Sequence, residues 1–511
     1  MNAFPQTIHF IGSNTPRRLE ISVRDLEVEG EIPAEIDGAF FRAVPDNAHA
    51  PMFEDDIALN ADGMIARFNI EGGAADFDIR YVETERYLAE KKARRALFGR
   101  YRNPFTDDPS VAGVDRTLAN TTPVWHAGRL FMTKEDGRAY EINPHTLQTV
   151  GKWDFYGALR SETFTAHPRV DPVTGELFFF GYEAGGLCSR DIAYGVADAE
   201  GNLVSEQWFE QPYCATIHDF VITQKYAIWP IFPTTADLDR LKGGGAHWAH
   251  QQELESWLAI MPRYGKVEEM KWIKGPPGVS VFHEVNAYDD GDLVHIDMCL
   301  TDTNAFAFMR EAGGIHRDQQ SLQGALTRWT IDMSKAEPMI EERPLGPPGD
   351  LPRLADVDQG RPYNRAWYLS MNPQGGPPML GGPVGINFNA LMRIEPGNGR
   401  LSVMGVPPGA AISEPAHVPS GDPTHGGWLL TVVDIPNGPP GQGAPHDYSS
   451  ELWIVEADEI EKGPIARVKT GLALRSQVHG AWVGRAKLNA LVSVRHRSMW
   501  TRSPPEPLSA S

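Results

Sequence analysis

Cysteine is scarce in this chain of 511 residues: three are present, Cys188, Cys214 and Cys299, with no CxxC spacing. So few and so scattered a set excludes a disulfide framework and a thiolate-held metal, and it suits a reducing compartment. Long apolar runs are missing too. Nothing approaches the roughly 18 continuous apolar residues of a membrane span, and the opening MNAFPQTIHFIGSNTPRR has neither the basic start nor the apolar run of a signal peptide. We therefore expect a soluble, cytoplasmic protein with no integral membrane segment, in which the Asn120-Thr121-Thr122 sequon is a chance match. Basic charge is in deficit: 47 Lys and Arg face 67 Asp and Glu, a formal net charge of −20. A surface of that sign repels phosphates and excludes nucleic acid as a partner.

Turn formers are abundant, with 50 glycines and 41 prolines, so long helices are few. Turn signals recur about every eight to fifteen residues between short apolar or alternating runs, the pattern of consecutive antiparallel strands. In residues 122–154 the runs PVWH, RLFMT, AYEI and TVGKW are separated by Ala-Gly, Asp-Gly and Asn-Pro turns, giving a four-stranded meander the size of one propeller blade. Similar units are expected at 165–182, 216–232 and 426–458. No strict motif repeats, so WD40 and kelch arrays are not supported. An all-β, degenerate propeller is the fold expected, because a ring of sheets hides its edges without helices. Helical character is confined to insertions at 84–99 and 250–260. Loops rich in Pro and Gly at 345–349, 373–383 and 435–445 should cover one face, where binding residues concentrate. No composition shift marks a boundary, and residues 1–511 are read as a single domain.

Histidine supplies the first candidate chemistry. His167, His218, His283 and His479 each stand at or near the start of a strand-like run, separated by 51, 65 and 196 residues. Those spacings exclude a zinc finger, but inner strands of different blades in a radial fold point at one axis, where distant residues can meet. Four neutral nitrogens suit a redox metal; the alternative is four hydrogen-bonded structural histidines. The pair His247 and His250 has ligand-like HxxH spacing, yet it lies in the glycine-rich GGGAHWAHQQ and is expected to be exposed.

Several motifs in one order resemble the carotenoid cleavage oxygenases, and among them the bacterial stilbene-cleaving members. They are EIPAEIDGAFFRAVPDN with ADGMIARF, TAHPRVDPVTGELFFFGY, TIHDFVIT, LAIMPRYG, FHEVNAY, SELWIVEA and VHGAWV. The resemblance spans nearly the whole chain. It implies a seven-bladed propeller, loops and short helices forming a dome over an axial site, and a non-haem Fe(II) held by His167, His218, His283 and His479. It further implies three carboxylates behind the ligands, since a metal-bound imidazole usually donates its other N–H to one. Glu135 and Glu414 stand at matching positions. The third, in a pattern resembling Glu-Phe-Pro-Arg, is here Asp350 in DLPRL, one methylene shorter, and would need a shifted backbone or a water to reach its histidine. Thr121 resembles a residue that leans over the metal and gates one coordination position; it is equally an ordinary β-branched strand residue.

Two more residues bear on the substrate. Polyene-cleaving relatives are apolar before the carboxylate of this segment, whereas this chain has Lys134, and Tyr101 matches the other phenol-binding position of the stilbene-cleaving subgroup. A cation beside the site is costly against a hydrocarbon but useful against a phenol, whose oxygen it can hydrogen-bond and help ionise. The implied activity is O2-dependent cleavage of the central C=C of 4-hydroxystilbenes to two aromatic aldehydes. The rivals are an apocarotenoid or other polyene oxygenase with a long apolar tunnel, and a non-enzymatic propeller scaffold. Oligomeric state stays open.

Overall fold

The computed structural model describes residues 3–306, 308–312, 322–438 and 447–490. Within them the chain is almost entirely β: eight sheets, seven of which have four or more strands. Five consecutive sheets have their strands in chain order, as antiparallel meanders. The sheet of 122–152 is built from Thr122–His126, Arg129–Thr133, Tyr140–Ile142 and Thr149–Lys152, the four runs expected from the sequence.

Inner strands such as Leu177–Tyr182 and Gly38–Pro45 are nearly continuously hydrophobic because both of their faces are buried, whereas outer strands such as Ile340–Gly346 are polar and largely exposed. In LFFFGY (Leu177–Tyr182) alternate side chains point to opposite sides. Phe178, Phe180 and Tyr182 pack toward the sheet of 221–277, and Leu177 and Phe179 toward that of 122–152. The same relation links each sheet to the next: 221–277 to 280–346 through Leu258, Ile260 and Trp329, then on to 350–405 through Leu326, Tyr368 and Met392. Trp367, Leu391 and Trp453 continue it to the sheet of 411–468. That sheet packs in turn on the first through Leu430, Ile454, Phe68 and Phe77, and the first on 122–152 through Phe41, Ile65 and Leu130.

Two pairings bring the ends of the chain together. Gly480–Gly484 adds to Gly38–Pro45, and Glu27–Gly30 adds to Pro464–Lys469.

The helix expected at 84–99 is Glu85–Ala93, capped by Thr84 accepting from the Tyr87 amide. It stops early because Arg94 turns left-handed at φ 58°. The helix expected at 250–260 is not formed. Its residues lie in the strands Trp248–His250 and Glu255–Pro262. Burial of Leu258 and Ile260 on one face and Ala259 and Met261 on the other overrides the helical preference of Gln, Glu and Leu there. Asn120 is fully buried, its amide donating to the Leu59 and Ala61 carbonyls at 3.0 and 2.8 Å, so the sequon offers no accessible acceptor. Pro347, Pro348, Pro373 and Pro383 of the first two Pro/Gly loops border cavities beside the histidine site. Residues 439–445 of the third lie outside the described residues. No helix among the described residues is long and apolar enough to cross a membrane.

Candidate metal centre and substrate cavity

Each of the four histidines enters from a sheet-edge strand or the residues just before one. His167 precedes Arg169–Val170, His218 precedes Val221–Ile222, His283 lies in Ser280–Asp290 beside a register shift, and His479 precedes Gly480–Gly484. Their ligand atoms lie within 4.8 Å of one another. The Nε2 atoms of His167 and His218 are 3.0 Å apart, those of His218 and His283 3.2 Å, and those of His283 and His479 3.2 Å.

In three of the four the Nδ1 side faces outward to a carboxylate. His218 Nδ1–H donates to Glu135, His283 Nδ1–H to Asp350 at 2.7 Å, and His479 Nδ1–H to Glu414 at 3.0 Å. With Nδ1 protonated, the Nε2 lone pairs converge on one point, an arrangement that repels itself unless a cation sits there. The spacing fits one: nitrogens bound at right angles about 2.1 Å from a metal ion are about 3.0 Å apart. Burial pushes His167 and His218 below the usual imidazole range, favouring the neutral ligand form. At His283 the opposing pull of the Asp350 carboxylate outweighs burial and raises it. Burial pushes Glu135 up, but His218 and Lys134 more than offset that and hold it at about 2. Glu414 is likewise held below its ordinary value, His479 and Arg353 outweighing burial.

Asp350 reaches His283 directly, without a bridging water. The shorter side chain is delivered by the backbone: pairing with Ala366–Ser370 shifts register between Asp350 and Arg353, and Leu351 between them is left-handed at φ 54°.

A cavity of about 840 Å³, including its open mouth, lies over this centre and is lined by His218, His283, His479, Tyr101, Thr121 and Lys134. Thr121 is buried and its hydroxyl donates to Asn120 Oδ1 at 3.1 Å. Lys134 is 1% exposed, and its Nζ stands 5.2 Å from the centre of the Tyr101 ring. Burial alone would lower the Lys134 ammonium, but Tyr101, Glu135 and Asp136 outweigh it and raise it. Burial raises the Tyr101 hydroxyl against the opposing pull of Lys134.

The family model for the retinal pigment epithelial membrane protein, RPE65, matches residues 14–484. The chain belongs to the RPE65/carotenoid cleavage oxygenase family. It is 38% identical to lignostilbene-alpha,beta-dioxygenase isozyme III of Sphingomonas paucimobilis, over 96% of this chain and 99% of that one. It is 37% identical to the isoeugenol monooxygenase of Pseudomonas nitroreducens, over 93% and 98% of the two chains. The crystal structure of the Pseudomonas brassicacearum lignostilbene dioxygenase superposes with a TM-score of 0.89 at 35% identity, covering 94% of this chain and 99% of that one.

The HxxH pair of this family member is not exposed. Trp248–His250 is a strand paired with Thr234–Ala236 and Arg310–Glu311, which buries His247 and His250. His247 Nδ1–H donates to the Arg102 carbonyl at 3.0 Å, and Nε2 lies 3.1 Å from Glu183 Oε2. Several further cavity residues were not singled out from the sequence. Phe282 stacks on the His218 ring with centroids 3.9 Å apart and fixes its plane. Tyr182, Thr216 and Trp248 complete the wall near Tyr101. Phe282, Tyr182 and Thr216 stand in the motifs FHEVNAY, TAHPRVDPVTGELFFFGY and TIHDFVIT, which was the signal that could have found them.

Proposed function

We propose that this chain is a non-haem Fe(II) dioxygenase that cleaves the central C=C of 4-hydroxystilbenes with O2 to give two aromatic aldehydes. The observation that carries the reading is the buried Lys134 ammonium facing the Tyr101 ring inside the cavity that opens on the histidines. The relatives named for lignostilbene and isoeugenol support an aromatic rather than a polyene substrate.

His167, His218, His283 and His479 would hold the iron, with Glu135, Asp350 and Glu414 orienting three of them from behind. The bound ion supplies a coordination site for dioxygen and the electrons that activate it. Lys134 and Tyr101 donate to the 4-oxygen of the substrate, and the ammonium favours its ionised form. Electron density from that oxygen reaches the central double bond through the ring, which prepares the alkene carbon for oxidation. The aromatic wall holds the alkene near the histidines, and Thr121 restricts access to one side. A polyene offers no oxygen to Lys134, so the buried cation weighs against that substrate class.

The seven larger sheets, packed in sequence with the last on the first, support a seven-bladed propeller in one domain of residues 1–511, its central axis carrying the histidines. Three unpaired cysteines support a cytoplasmic location. The deciding assay offers iron-loaded protein a 4-hydroxystilbene and an apocarotenoid: aldehydes from the stilbene and none from the polyene are expected, and the reverse overturns the reading.

A further inference from the structure

Three aromatic residues of the cavity wall, Tyr101, Tyr182 and Trp248, are each adjacent in the chain to a charged or titratable residue that faces away from the cavity: Arg102, Glu183 and His247. These three partners, from segments far apart in sequence, meet in one buried cluster. Arg102 Nη2 pairs with the Glu183 carboxylate, and Arg102 Nη1 donates to the Tyr182 hydroxyl at 3.0 Å. The guanidinium lies over the Tyr182 and Trp248 rings, 5.1 and 5.3 Å from their centres. His247 bridges the Arg102 carbonyl and the Glu183 carboxylate, and Glu183 Oε1 also accepts from the Cys188 amide at 2.6 Å. Arg102 and Glu183 both hold left-handed backbones, φ 53° and 52°, a conformation that persists in such residues only where the surroundings impose it.

We propose that Arg102, Glu183 and His247 are positioning residues that set the Tyr101 hydroxyl against Lys134 and thereby fix where the phenol end of the substrate sits. A buried ion pair is a poor source of net stability, because desolvation consumes most of the attraction. What it supplies is one geometry, and here that geometry is passed through single peptide links to three wall residues. Asn103 adds a further anchor, its amide donating to the Leu241 and Gly245 carbonyls at 3.0 and 2.8 Å. The opposing charges hold the Glu183 carboxylate at about 2 against the upward push of burial, so the pair is ionised at neutral pH.

This proposal rests on the phenol reading above, and a double-mutant cycle separates the two. The preference for 4-hydroxystilbene over 4-methoxystilbene, as a ratio of kcat/KM, is measured for wild type, Glu183→Gln, Tyr101→Phe and the double variant, with iron content and Tm recorded for each. Glu183→Gln is expected to reduce the preference on the order of tenfold or more, the scale of an ångström-level misplacement. In the Tyr101→Phe background the same change should alter it less than about twofold, since the positioned hydroxyl is already gone. Equal effects in both backgrounds overturn the positioning role while leaving the phenol reading intact. Tyr101→Phe with no effect on the preference overturns the phenol reading and the positioning role with it. Should Glu183→Gln fail to fold, His247→Gln, which keeps the Arg102–Glu183 pair, enters the same cycle with the same expectations.

Discussion

Replacing Lys134 by Met is the sharpest test of substrate chemistry. Met nearly matches the lysine stem in length and volume, so packing in this fully buried position is kept while the charge is removed. Fold stability should change little, because the desolvation cost of the ammonium disappears together with its attraction to Glu135 and Asp136. Glu135 keeps its direct hydrogen bond from the His218 Nδ1–H, so that histidine stays oriented. What is lost is one charge-assisted hydrogen bond to the substrate oxygen, about 1.5–3 kcal/mol. That is roughly 10- to 150-fold in kcat/KM. The ammonium favours the ionised oxygen as charge moves toward the alkene, so part of the loss belongs to the transition state and kcat itself should fall. Steady-state kinetics on 4-hydroxystilbene and 4-methoxystilbene, with iron measured in the same samples, are the assay. The phenol should suffer and the methyl ether, already a poor substrate of wild type, should barely change. A proportional fall on both substrates at full iron content, or wild-type enzyme that cleaves the ether as fast as the phenol, refutes the argument.

Wild-type protein should bind close to one iron per chain, and His283→Ala should lose most of it; elemental analysis showing full iron in that variant would remove His283 from the ligand set. Glu135→Gln and Glu414→Gln should each lower metal affinity or turnover by roughly 10- to 100-fold, as changes to groups behind a ligand do, and titration with ferrous ion reads this directly. Glu183 is held at about 2 in the fold against an ordinary 4.5, with Arg102 and His247 overcoming burial. The part of its stabilisation that depends on ionisation is therefore present above pH 4.5 and disappears as pH falls from there toward 2. Chemical unfolding across that window should show a shallower acid limb in Glu183→Gln than in wild type.

Much of this architecture is legible in the sequence, for a physical reason. Runs such as LFFFGY and RLFMT are too short and too uniformly apolar for surface helices, and their turn residues sit where two-sided burial needs them. The histidines could be grouped because each stands beside such a run. Two readings failed for the same cause. HQQELESWLAI has the composition of a helix, and GGGAHWAHQQ that of an exposed loop, but both segments are claimed by neighbouring sheets, a tertiary effect that local composition does not encode. Asp350 shows the opposite limit. The missing methylene is visible in the sequence, whereas the left-handed Leu351 that compensates for it is visible only in the backbone. Of the Arg102–Glu183–His247 cluster only His247 stood out in the sequence, as half of the HxxH pair, and its partners could not be read because they lie far away in the chain.

The pairing of Gly480–Gly484 with Gly38–Pro45 places His479 immediately before the strand that joins the two ends of the chain. During synthesis the first three histidines leave the ribosome long before the fourth, and loop closure over so great a separation is a late event in folding. A nascent or truncated chain thus exposes an incomplete set of donors, which holds metal weakly. Under the proposed iron reading, tight capture of the ion would mark a finished molecule, and oxidative chemistry would be withheld from every partly made one.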